Sequence, residues 1–335
     1  MSKWKYWLFA SVASALMNAC QKVNSLLNPE ASGNPFEVMV VADDSLFEDE
    51  VGTTIKSILN TPVPGLPQRE PSFHVSHVEE KHYDRITHLF RNIVLIHIGR
   101  EHTVPKIILE RDVFADNQFI VTFVAPDNTT LIDYVNAHRD FIVNLIVKEE
   151  MSRLANYYDK RHNRKFDERV RDMFGCSFHI PGELNHFKEG KDFIWATNDA
   201  LTGVQSVAVY SYPYTTNEAL TLDSIIAVRD SVMKINIPGG QPGQYMTTNK
   251  ETVHTDNILA RNVYAKEVRG LWEIENDNMG GPFVAHCVID TIRHRIIVGE
   301  AFVYAPEKAK RTMMRTLEAS LYTLKVIEKA DEEEE

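Results

Sequence analysis

Residues 269–319 read RGLWEIENDNMGGPFVAHCVID, TIRH and RIIVGEAFVYAPEKAKRTMMRTLEA. Phe283, Ala285, Cys287 and Ile289 alternate along the first apolar run, so they share one face of an extended strand. Ile296, Val298, Phe302 and Tyr304 do the same along the second run, and the polar stretch Thr291–His294 separates the two. A hairpin is the simplest structure with that pattern. Pro306 suits the first turn of a helix, where its missing N–H costs nothing. Met313, Met314, Leu317, Leu321 and Leu324 then recur at helical spacing and predict a helix that covers the hairpin. The corner at Met279–Pro282 feeds the first strand: glycine admits positive φ or close backbone approach, and proline fixes the entry.

Upstream, strands are predicted at Cys176–Ile180, Asp192–Ala196 and Val204–Tyr212, and near Tyr245, Val263 and Trp272. A helix over Thr221–Lys234 interrupts them. The first half alternates instead. A buried strand at Glu37–Ala42 precedes a helical stripe through Val51, Ile55, Ile58 and Leu59, with Ser45 and Glu48 as its capping box. Strands near 73–78, 92–98, 106–110 and 118–125 lead to a long helix capped at Asn128 or Thr129. A shorter helix ends at Phe174, before Gly175. This order predicts an α+β fold: mixed, mainly antiparallel sheets with helices packed on one face, in two sheet-and-helix halves. The expected divisions are a leader over 1–19, a tether over 20–36, an N-terminal half over 37–172, a strand-rich half over 173–327 and an acidic tail over 328–335.

At 335 residues the chain exceeds the usual size of one domain, and 44% apolar content suffices for a full core. The formal charge is −11, and cleavage of a leader carrying Lys3 and Lys5 takes it to −13. Such a body is repelled by phosphate backbones, so nucleic acid is not an expected partner.

Residues 1–20 read MSKWKYWLFASVASALMNAC: two lysines, an apolar run from Tyr6 to Met17, and Ala19 immediately before Cys20. This is the layout of a secretory signal, and its apolar run is too short to span a bilayer. A cysteine directly after the small residue matches a bacterial lipobox, with Leu16 and Ala19 as its members. The expected result is cleavage before Cys20, acylation there and attachment to a membrane through the lipid. No aspartate follows Cys20 and no acidic pair follows it, so the expected location is the outer membrane, facing the periplasm. The partners expected beyond the membrane are an envelope protein or a glycan.

Several phrases recur together: LPQREP at Leu66–Pro71, the pair Arg229-Asp230, QYM at Gln244–Met246, RGLWE at Arg269–Glu273, MGGPF at Met279–Phe283 and FVYAPEKAKR at Phe302–Arg311. With the lipobox they resemble the bacterial lipoprotein family classed as domain of unknown function 4837, over about Glu37 to Val326. The resemblance implies an envelope lipoprotein and brings no catalytic residues with it.

The residues themselves offer few chemical constellations. His74 and His77 fall on opposite strand faces, His97 and His102 flank a turn beside Glu101, and Glu183 and His186 form a loose pair. No HExxH, paired CxxC, EF-hand loop or GxSxG elbow occurs, so neither metal nor cofactor is expected. The loop Pro238–Gly243 lacks the Lys-Ser/Thr of a P-loop and reads as a tight turn. Cys176 and Cys287 lie on apolar strands as buried thiols, and an oxidising compartment would allow a disulfide between them if the strands were neighbours. Glu300 is the exception in an apolar run, where a carboxylate needs a basic partner or a polar cleft. One version is a ligand cleft in which Trp272 stacks, Arg269 grips an anion, and Arg229 and Glu300 complete the lining. The other is a structural ion pair of Glu300 with Arg229 or Arg269. Two functions follow: a non-enzymatic binding or structural role in the periplasm, or an envelope-acting hydrolase or transferase using Glu300, Asp277 or Glu273 as acid and base.

Overall fold

The computed structural model describes residues 28–198, 200 and 203–327. The leader, Cys20 and the acidic tail lie outside the described residues. The chain forms two compact units. One runs to Thr61 and from Phe73 to Val147; the other takes Pro62–Ser72 and the chain from Lys148. Residues 148–172 and the proline-rich segment 62–72, assigned from sequence to the N-terminal half, therefore group with the second unit.

The first unit is built on a five-stranded sheet. Its strands are β1 (Glu37–Val41), β2 (His74–Val78), β3 (Asn92–Ile98), β4 (Lys106–Arg111) and β5 (Phe119–Ala125), in the order β2-β1-β3-β5-β4. β1 runs parallel to β2 and β3, β3 parallel to β5, and β4 antiparallel to β5. β5 is buried along its whole length, as its unbroken apolar run requires. Short α1 (Asp44–Glu48) and α2 (Glu50–Leu59) follow β1, and α2 buries Val51, Ile55, Ile58 and Leu59. Ser45 lies inside α1 and caps nothing, because the chain breaks at Asp49 and a new helix begins there. Helix α3 (Asn128–Ala137) packs against α2 and β5, and its cap is Asp127, whose carboxylate accepts the Thr130 N–H at 2.8 Å. The single long helix expected after it is broken at His138, and α4 (Arg139–Lys160) continues from there.

The second unit contains α5 (Arg164–Phe174), which ends on Gly175 at φ 54°, a conformation that favours glycine. Its seven-stranded sheet has the order β10-β11-β12-β13-β9-β8-β7 and every pairing is antiparallel. The strands are β7 (His186–Gly190), β8 (Phe193–Thr197), β9 (Val204–Pro213), β10 (Met246–Ala260), β11 (Val263–Ile274), β12 (Gly280–Asp290) and β13 (Arg295–Tyr304). Helix α6 (Leu222–Asn236) lies between β9 and β10, and α7 (Arg311–Leu321) follows β13. A two-stranded sheet pairs β6 (Cys176–Ser177) with β14 (Lys325–Val326). The β12–β13 hairpin is the one the alternation predicts, with Asp290 opposite Arg295. Among the described residues no helix is long and apolar enough to cross a membrane.

The α+β class is as expected, but helices cover both faces of the large sheet rather than one. Phe283, Ala285, Cys287, Ile296, Val298 and Phe302 pack with Ile225, Ile226 and Met233 of α6. On the other face, Val284, Val288, Ile297, Ala301 and Val303 pack with Phe166, Val170 and Phe174 of α5 and with Met314, Leu317 and Leu321 of α7. The physical reason is visible in β12 and β13, which are apolar at nearly every position, so a single helical layer would leave half of that surface wet.

Helix α7 begins at Arg311, one turn later than Pro306 suggests, because Glu307 takes φ 59° and breaks the helical path. Its first amides are satisfied from far away in sequence. The Glu70 carboxylate accepts the N–H of Lys310 at 2.7 Å and of Arg311 at 2.8 Å. A carboxylate there both caps the helix and complements its positive end. Replacing Glu70 with Ala should lower the stability of this unit by about 1–2 kcal/mol. A urea titration followed by far-ultraviolet circular dichroism should show a lower midpoint at unchanged slope. An unmoved midpoint would rule out the cap.

Candidate functional site

Of the four residues considered as a cleft, three lie on the α6 face of the large sheet and one on the other. Glu300 and Trp272 point towards α6, which carries Arg229; Arg269 points towards α7. Strand alternation fixes this, since Arg269 and Trp272 differ by an odd number of positions along β11. The cleft as imagined does not form.

On the α6 side Glu300 is fully buried and Arg229 is 1% exposed. The guanidinium grips the carboxylate through Nη2 at 2.7 Å and through Nε at 3.1 Å to each oxygen. Its Nη1 donates to Thr248 Oγ1 at 2.7 Å, and Thr248 donates in turn to Asp230 at 2.5 Å. Tyr210 donates to Glu300 Oε2 at 3.3 Å, and the Phe283 ring lies 4.0 Å from the guanidinium carbon. Full burial pushes the Glu300 carboxyl above its ordinary range, against the opposing pull of Arg229 and Tyr210. Trp272 is buried against Phe302 and Tyr304, with ring centroids 6.1 Å apart in both cases, so it offers no stacking surface to a ligand.

On the α7 side Arg269 grips two carboxylates of the protein itself. Nε and Nη2 donate to Glu267 at 2.6 and 2.8 Å, Nη1 donates to Glu318 at 3.1 Å, and Nη2 also donates to Glu318. Arg315 donates to both Glu318 oxygens, and buried His286 stands 3.4 Å from Glu267. Burial opposes ionisation of Glu267 and Glu318, but the Arg269 charge prevails and holds both carboxyls below the ordinary 4.5. Anion binding at Arg269 would require displacing partners it already holds.

The carboxylates considered for acid–base chemistry do not converge. Glu273 is exposed on the sheet face opposite Glu300, while Asp277 is tied into a turn by the Met279 N–H at 3.1 Å and Gln244 at 3.2 Å. The cysteines do not pair. Both thiols are free, with Cys176 in the core facing α7 and Cys287 in the core facing α6, so the sheet lies between them. Burial pushes each thiol up to about 12, which leaves it protonated and unreactive at neutral pH.

Among the histidines paired in the sequence, His77 is bound to the Ala42 carbonyl at 2.8 Å and stacked on Phe47, and His102 lies 3.5 Å from Glu101. Among the described residues one group could hold a metal, and it is a different one: His162, Asp167 and His179. Nothing local marks this group in the sequence, since the two histidines are 17 positions apart with no motif spacing.

Residues 163–323 match the family model described as Domain of unknown function (DUF4837). Residues 31–159 match a separate model, Domain of unknown function (DUF8532). The first match thus covers the second half of the chain rather than the span from Glu37 to Val326. Among solved structures, a crystal structure from Bacteroides thetaiotaomicron is similar at 13% identity with a TM-score of 0.25, covering 47% of this chain and 46% of that one. The chain therefore spans under half the length of that protein. No curated protein matches.

The phrases behind the resemblance have structural work in the DUF4837 region. Arg229, Asp230 and Met246 belong to the Glu300 node, and Arg269 to the α7 node. The glycines of MGGPF lie in the first residues of β12 and not at a corner before it, and a Cβ on Gly281 would overlap the Val303 carbonyl oxygen, so this strand position needs glycine for close approach. Glu70 of LPQREP caps the helix that follows VYAPEKAKR, and Gly65, at φ 77°, lets its segment pass against Arg269.

Proposed function

We propose that this chain is a cell-envelope protein, anchored by acyl groups on Cys20 and facing the periplasm, whose body binds or braces an envelope protein or glycan without catalysing a reaction. The observation that carries the non-catalytic part is the sealing of Glu300: it has no exposed surface, and its polar neighbours are Arg229 and Tyr210 of the same chain. A general acid must reach a substrate proton, and this one cannot. The anchor rests on the leader, its lysines and the Ala19-Cys20 junction.

Fractionation tests the anchor. The unaltered protein should sediment with membranes and enter the detergent phase, and Cys20→Ala should move it to the soluble fraction. Membrane retention of that variant would contradict lipidation at Cys20. Hydrolysis of an envelope glycan by the purified protein, lost in Glu273→Gln or Asp277→Asn, would overturn the non-catalytic reading.

A further inference from the structure

His162 occupies the short connection between α4 and α5, Asp167 sits in the first turn of α5, and His179 follows β6. The connection is pinned beside His179 by Asn163. Its backbone N–H donates to the Ile180 carbonyl at 3.0 Å, its side-chain amide donates to the Leu184 carbonyl at 2.8 Å, and its Oδ1 caps α5 through the Phe166 N–H. The two imidazoles stack with centroids 4.0 Å apart and planes 14° from parallel. One nitrogen of each ring and one oxygen of Asp167 all lie within 4.8 Å of one another, and His179 Nε2 is 3.9 Å from Asp167 Oδ1.

The outer contacts decide the tautomer of these rings. His162 Nδ1 lies 2.9 Å from the Tyr158 carbonyl oxygen. A carbonyl can only accept, so the proton sits on Nδ1 and Nε2 keeps its lone pair. His179 Nδ1 lies 2.9 Å from Asp159 Oδ1, so it donates to a carboxylate and its Nε2 is likewise the basic nitrogen. Asp159 is itself held by Arg261 at 2.7 Å. A carboxylate or carbonyl behind the non-ligating nitrogen is the arrangement that orients metal-binding histidines and fixes their tautomer. Asp167 is equally fixed. Its side chain is 8% exposed, Oδ1 accepts the Phe178 N–H at 2.9 Å, and Oδ2 accepts Arg171 Nε–H at 2.9 Å. Oδ1 retains a second lone pair, with His179 Nε2 3.9 Å away.

We propose that His162 Nε2, His179 Nε2 and Asp167 Oδ1 form a binding site for one divalent transition-metal ion of the zinc type, with water completing the coordination. Two imidazoles and one carboxylate select against magnesium and calcium, which prefer all-oxygen shells. Three protein ligands on a partly exposed site leave a position open. Coordination at about 2.0–2.2 Å draws the three atoms to roughly 3.3 Å from one another. Because imidazole lone pairs lie in the ring planes, one of the two stacked rings must turn about its side-chain bonds for both Nε2 atoms to face the ion. Arg171 and Arg261 already balance the two aspartates, so the ion is held mainly by the imidazoles.

The test uses the untagged chain, stripped with a chelator and titrated with zinc by calorimetry, then with cobalt(II) by visible absorption. The expected result is one equivalent of zinc and a cobalt spectrum of a nitrogen- and oxygen-ligated ion. His162→Gln and His179→Gln should each weaken binding at least tenfold. Asp159→Asn, which removes no ligand and keeps the hydrogen-bonding shape, should weaken it about 10–100-fold. Circular dichroism melts confirm that each variant is folded, and Asp159→Asn remains informative if a histidine variant is not. Absence of zinc binding by the unaltered chain would overturn the site. Binding that persists undiminished in the folded histidine and Asp159 variants would do the same.

Discussion

Truncating either member of the Arg229–Glu300 pair should cost this protein about 3–5 kcal/mol, since each leaves a charge buried without its partner. Arg229→Ala strands Glu300 in the core facing α6, where Tyr210 remains to donate to it at 3.3 Å. Glu300→Ala leaves the guanidinium with Thr248 Oγ1 at 2.7 Å and the Asp230 carboxylate at 3.8 Å in place of its bidentate partner. The double replacement Arg229→Met with Glu300→Met should cost much less than the sum, because no uncompensated charge is left and the methionines fill the space. Urea denaturation of the unaltered protein, Arg229→Met, Glu300→Met and the double replacement measures the coupling, and strict additivity would contradict a direct pair. The pH dependence is specific as well. Without Arg229 the buried Glu300 carboxyl is raised further, so the folded state holds a proton that the unfolded state releases above 4.5. The stability of Arg229→Ala should therefore fall with rising pH, by about 1.4 kcal/mol per unit until the folded-state carboxyl ionises. A variant with a flat profile across that window would show that Glu300 stays solvated.

The second large effect is expected at Arg269. Arg269→Met leaves Glu267 and Glu318 buried with Arg315 as the remaining guanidinium against Glu318, and should cost about 3–5 kcal/mol. In the unaltered protein both carboxyls are held below 4.5, so between the folded values and 4.5 the unfolded state binds more protons. Their contribution is fully present above 4.5 and is lost as the pH falls below it. The variant should lose that acid sensitivity, because carboxyls no longer held down by Arg269 gain from protonation. Stability measured from pH 7 down to pH 3 checks this. Parallel curves for the two proteins would mean that Arg269 does not control the carboxyls.

Much of this was readable in the residues, for reasons that differ from place to place. The β12–β13 hairpin was legible because its alternation is local and its turn sets the register: once Asp290 faces Arg295, Glu300 must face Ala285 and share the side of Phe283 and Cys287. The exceptional position of Glu300 was legible for the same reason. The partner was not. Arg229 and Arg269 were equal candidates until the pairing of β11 with β12 put Arg269 opposite Val284 and so on the other face. That pairing is set by the turn over 275–279, where Asn276 takes φ 60°, and such a turn has no period to read. The start of α7 was hidden too, because its cap comes from a residue 240 positions earlier.

The sequence alone determined what depends on neighbours along the chain: the alternation of the hairpin, the helical stripes and the stop at Gly175. Only the tertiary structure decided what depends on distant segments meeting. It assigned Arg229 to Glu300 and Arg269 to Glu267 and Glu318, separated Cys176 from Cys287 by a sheet, and brought His162 beside His179 by turning the chain through α5. A dihedral preference acts over a few residues, whereas a buried charge is satisfied by whichever group the fold carries to it.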